Sequence, residues 1–98
     1  MTRLDPTIVI ERIAGGLRSE GADYPVAGAV ALAARGHVRL EQREFAATVR
    51  CSVEHIRSTE IGEVAFGDLP SHVGDAALVL GVDLLALADL EQAWHTEA

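Results

Sequence analysis

The sequence predicts an all-α domain of six helices, and three observations lead there. Apolar residues recur at three- and four-residue steps near both ends, Ile10, Ile13 and Leu17 in one segment and Leu84, Leu87, Leu90 and Trp94 in the other. No segment alternates with period two for long enough to make a strand. Residues that start and stop helices bound the periodic stretches: Asp5-Pro6, Ser52, Gly36, Gly62 and Gly81. With 98 residues and 49% of them hydrophobic, the chain supports one compact unit with a single core.

The first helix is expected from Pro6 to about Arg18, because the Asp5 side chain can accept orphan amide hydrogens and Pro6 fits the first helical position. Ser19 to Pro25 is a loop by composition, and Pro25 moves Tyr24 out of helical geometry. The stretch PVAGAVALAARG, residues 25–36, is built of Ala, Val and Gly, which let a helix approach its neighbours closely. It is expected to form a thin central helix that ends at Gly36 as a left-handed cap. Two short helices follow, roughly Glu41 to Arg50 and Ser52 to Ile61. The segment GEVAFGDLP is expected to be a loop in which Asp68 caps the next helix and Pro70 lies in its first turn. That helix carries Leu69, Val73, Ala76 or Ala77, and Leu80 on one face and stops at Gly81; the last runs from Asp83 to about His95.

Charge is unevenly placed. All eight basic residues are arginines, Arg3 to Arg57, and seven acids share residues 1–57, a net of +1. From Ser58 onward there are eight acids and no Arg or Lys, which brings the whole chain to −7. The chain therefore cannot bind a polyanion through its overall charge, and any nucleic-acid face must be a local patch of the first half's arginines. The chain has no apolar run long enough to span a bilayer, and its start, Met1 to Pro6, lacks the basic and apolar regions of a secretory signal. A cytoplasmic chain with no membrane contact is expected. A lone Cys51 cannot form an internal disulfide and fits a reducing compartment.

Neither catalysis nor a metal or cofactor is expected. There is no nucleophile beside a base, no phosphate-cradling glycine loop, and no two-histidine helical spacing among His37, His55, His72 and His95.

Residues 40–63 carry a pattern of another kind. Leu40, Gln42, Phe45, Ala46, Val49, Cys51, Ser52, Ile56, Glu60, Gly62 and Glu63 stand in register without a gap. They suit two helices meeting across a tight turn. Ala46 gives clearance, and Phe45, Val49 and Ile56 form an apolar corner. Cys51 fills the turn, Ser52 caps the second helix, and Gly62 stops it.

This stretch resembles the helix-turn-helix of the Cro/C1-type (XRE-like) DNA-binding family, and Leu80-Gly81-Val82 with Leu87 is similar to that family's later segment. The resemblance spans about residues 26–88. It implies a lambda-repressor-like five-helix core within 26–98, preceded by an extra N-terminal helix and loop (1–25) and completed by an extended C-terminal helix, all one compact unit. It departs from the family at Arg50, which stands where the turn usually has Gly and so must take a left-handed or adjusted conformation. It departs again at Glu41, where a Ser or Thr cap is usual, and in the acidic loop after Gly62.

The resemblance also implies a function, that of a repressor-like transcriptional regulator. The helix headed by Ser52 would lie in the major groove of double-stranded DNA, with Val53, Glu54, His55 and Ser58 at base edges and Gln42 gripping the backbone. Arg43, Arg50 and Arg57, helped by Arg39, would clamp phosphates, opposed by Glu41, Glu44 and Glu54. A homodimer on a palindromic operator is expected, joined through Leu84, Leu87, Leu90 and Trp94. The alternative is an acidic protein-binding adaptor or antitoxin whose helix-turn-helix is mainly architectural.

Overall fold

The computed structural model describes residues 5–96; residues 1–4, with Arg3, and 97–98, with Glu97, lie outside it, as does the His72 side chain. Six α-helices run in order: α1 Pro6–Ser19, α2 Pro25–Val38, α3 Gln42–Thr48, α4 Val53–Glu60, α5 Ser71–Val79 and α6 Leu84–Thr96. A single 3-10 turn, Phe66–Asp68, precedes α5, and no strand occurs among the described residues.

Helix α2 is the axis of the fold, packing against α1, α4, α5 and α6. Its first seven residues, Pro25 to Ala31, are all buried, which small side chains on every face permit. A Cβ on Gly28 would sit 3.0 Å from the Thr59 carbonyl oxygen and 3.1 Å from that of Glu60, so α2 crosses the end of α4 at the distance a bare Cα allows. Around this axis two apolar clusters form. Ile10, Ala14, Val26, Val30, Val82 and Leu87 join α1, α2 and α6 in the first. Ala31, Ala34, Phe45, Val49, Ile56 and Val73 seat α3, α4 and α5 in the second. Each fully buried Ile or Leu contributes roughly 1.5–3 kcal/mol relative to exposure.

Local signals placed several boundaries. Asp5 Oδ1 accepts the Thr7 N–H at 2.9 Å and Pro6 opens α1. Ser52 Oγ accepts the His55 N–H at 3.1 Å and opens α4, and Gly62 (φ 85°) and Gly81 (φ 82°) are left-handed where helices stop. Two expectations require correction. Helix α2 does not stop at Gly36 but continues to Val38, and the left-handed residue is Arg39 (φ 56°). The reason is tertiary: Arg35 bonds to Glu60 and to the Leu40 carbonyl, which holds the last turn of α2 and the connection after it. Asp68 does not cap α5 either. It closes the 3-10 turn, its N–H donating to Ala65 O at 2.9 Å, while Pro70 occupies the capping position and α5 begins at Ser71. Phe66 and Leu69, flanking that turn, are half-buried against the first cluster.

Candidate nucleic-acid interface

Helices α3 and α4 are short and meet across residues 49–52. The turn is built from the backbone outward: Cys51 N–H donates to Ala46 O at 3.0 Å, and Arg50 takes the left-handed conformation (φ 58°). A non-glycine residue there costs of the order of 1–2 kcal/mol, offset by the packing of Phe45, Ala46, Val49 and Ile56 beneath. Cys51 is half-buried in the turn, and desolvation pushes its thiol above the ordinary range.

A charged network ties this pair to α2. Glu60, 4% exposed, accepts from Arg35 Nε at 2.6 Å and from Arg35 Nη2 at 3.0 Å, a bidentate pair. It also accepts from Gln42 Nε2 at 2.9 Å. The hydrogen bonds to Glu60 raise the Arg35 pKa above its ordinary value, against an opposing effect of burial. One buried carboxylate thus fixes the end of α2, the start of α3 and the end of α4.

Over this network opens a cleft of about 520 Å³ lined by Glu41, Gln42, Arg43, Val53, Glu54 and Arg57. Arg43, Arg50, Ser52, Glu54 and Arg57 are exposed; Val53, His55 and Ser58 are half-buried. The two short helices therefore bring most of the sequence-selected residues to one place. Gln42 is held from both sides, its amide donating to Glu60 and its oxygen accepting from Arg57 Nε at 3.4 Å. Ser52 Oγ is engaged as the cap of α4. Exposed Glu41, Glu44 and Glu54 match Arg43, Arg50 and Arg57 in number, so the face is formally neutral. Glu44 also accepts the Glu41 N–H at 3.2 Å, the bond that the third residue of a capping box returns to the cap's own amide.

The four residues selected for a dimer contact lie elsewhere. Leu87 is 1% exposed and sits in the first cluster. Leu84, Leu90 and Trp94 are half-buried against that cluster, and the Arg18 guanidinium stacks over the Trp94 ring at 4.5 Å.

Sequence reasoning missed Glu91. It is 5% exposed, and its carboxylate accepts the Val26 N–H at 3.0 Å and the Ala27 N–H at 3.1 Å, capping α2 from α6. Tyr24, at the local capping position, supplies no side-chain bond. A signal was present: Glu91 stands four residues after Leu87, an acid on the apolar stripe of α6.

Among the described residues no group of His, Cys, Asp and Glu could hold a metal ion, and no helix is long and apolar enough to cross a membrane. Compared with known proteins, the chain matches no family model, no curated protein and no solved structure.

Proposed function

We propose that this protein is a sequence-specific DNA-binding transcriptional regulator of the repressor-like kind, acting in the cytoplasm as a homodimer on a short palindrome, with α2–α6 as a lambda-repressor-like core. The observation that carries this reading is the α3–turn–α4 unit. Its second helix starts at a solvent-facing, Ser52-capped end, three exposed arginines surround it, and a buried carboxylate fixes its orientation. In this reading the start of α4 enters the major groove. Val53 meets a thymine methyl, Glu54 accepts from a cytosine amino group, and His55 and Ser58 complete the base contacts. Arg43, Arg50 and Arg57 bind phosphates, and Gln42 positions Arg57.

A second reading is favoured by the equal number of carboxylates on the same face. There the helix-turn-helix is architectural and the protein is an acidic adaptor or antitoxin. The two are separated by fluorescence anisotropy with the DNA upstream of the protein's own gene, with an unrelated duplex of equal length and with the Arg57→Ala variant. A regulator binds the upstream DNA at least tenfold more tightly than the unrelated duplex and loses affinity in the variant. Equal binding to both duplexes, or none at low salt, excludes the regulator.

A further inference from the structure

The corner where α5 turns into α6 leaves large apolar side chains in solvent. Leu78 is 59% exposed, Val79 77% and Leu85 80%, more than any other large hydrophobic residue described. The four residues 80–83 join the two helices, so these side chains share one end of the molecule. Together they offer of the order of 400 Å² of apolar surface, the size of the largest patch on a typical monomer, which is often functional. Beside them, Leu80 closes one end of a groove of about 420 Å³ whose walls include Val9, Ile13, Leu32 and Ala33.

The rim of this corner is acidic. Asp75 is exposed three and four residues before Leu78 and Val79, and Asp89 is exposed four residues after Leu85, spacings that place each acid beside the apolar residues on its own helix. Asp83 is exposed in the connection. Neither α5 nor α6 carries an Arg or Lys, and from Ser58 onward the chain has eight acids and no compensating cation.

Charge selects the occupant. A second copy of this chain across a two-fold axis would set Asp75, Asp83 and Asp89 against the same three acids. DNA and anionic membranes are repelled for the same reason. We propose that this corner docks a basic amphipathic helix of another protein, its apolar face on Leu78, Val79 and Leu85 and its Lys or Arg residues on Asp75, Asp83 and Asp89. The site is distinct from the α3–α4 face and does not depend on whether that face reads DNA.

The probe is a fluorescein-labelled 14-residue helical peptide of alternating Leu and Lys faces, with a Leu and Glu peptide of the same pattern as control. Both are titrated by anisotropy at physiological salt against the full chain, Val79→Ser/Leu85→Ser and Asp75→Asn/Asp89→Asn. All the altered residues are solvent-exposed. The expected result is binding of the Lys peptide alone, weakened tenfold or more in each double variant, with the variants' thermal unfolding unchanged. No binding to the wild type, or binding undiminished in Val79→Ser/Leu85→Ser, would overturn the proposal, since attraction between net charges would then suffice. Undiminished binding in Asp75→Asn/Asp89→Asn would overturn it as well. So would a wild-type dimer, seen by light scattering, that the Val79→Ser/Leu85→Ser change converts to a monomer, because the occupant would then be a second copy.

Discussion

Removing Arg35 alone from the Arg35–Glu60 pair should be worse than removing both. Glu60 is 4% exposed and makes three hydrogen bonds, two of them to Arg35. The Arg35 side chain is 24% exposed, so water can partly solvate it if its partner is lost. Breaking a buried ion pair by deleting one partner costs about 3–5 kcal/mol. Arg35→Met strands the deeper charge and belongs at the upper end, about 4 kcal/mol. Glu60→Leu leaves a group that can reach water and belongs lower, about 2–3 kcal/mol. Arg35→Met/Glu60→Leu removes both charges and fills the space with apolar atoms, so it should cost less than Arg35→Met alone. For a domain of this length 1 kcal/mol corresponds to about 4–8 °C in Tm. The three variants should therefore unfold at least 15 °C, about 10 °C and under 10 °C below wild type. Thermal unfolding followed by circular dichroism at constant pH measures all three. Additive losses in the double variant would refute the reasoning, because the single-variant cost would then not arise from a stranded charge.

Other positions make separate demands. Glu91→Ala leaves the buried Val26 and Ala27 amides without an acceptor, and at about 1–3 kcal/mol for each orphaned group the loss should be about 2–6 kcal/mol, read by urea titration. A Glu91→Ala protein within 0.5 kcal/mol of wild type would show that α6 does not cap α2. At Gly62→Ala the new Cβ would lie 2.7 Å from that of Ala22, at a backbone φ of 85°. Strain of about 1–2 kcal/mol adds to overpacking of about 1–3 kcal/mol, and thermal melting should show a Tm at least 10 °C lower. Burial raises the Cys51 pKa, so at pH 8 the folded protein carries less thiolate than the unfolded chain. Iodoacetamide should accordingly label Cys51 more slowly in buffer than in urea, and stability should fall as pH rises through the pKa of the unfolded thiol.

What was legible in the sequence is what is local. Asp5-Pro6, the Ser52 cap and the left-handed Gly62 and Gly81 act within one helical turn, and the structure places them as the residue types require. At Arg50 the resemblance, not a local signal, implies a left-handed or adjusted conformation, and the residue is left-handed although its side chain disfavours it. The end of α2 was misjudged at Gly36 because Arg35 is held by a residue 25 positions away. The cap of α2 is not local either: Glu91 lies 65 residues from Val26, and only its place on the apolar stripe of α6 marks it in the sequence. In the candidate site, the sequence pattern singled out the residues that α3 and α4 bring together. Its pattern did not reveal that the Gln42 amide is already bonded to Glu60 and Arg57, or that Leu84, Leu87, Leu90 and Trp94 pack within the protomer.

The salt dependence of binding to the upstream DNA tests the central claim most directly. Each phosphate neutralised contributes a slope of about −0.9 in log K against log salt, so Arg43, Arg50 and Arg57 on two protomers predict roughly −5, and Arg57→Ala roughly −3.5. A slope shallower than about −1, unchanged by Arg57→Ala, would contradict the account, because the arginines around α4 would then not touch DNA.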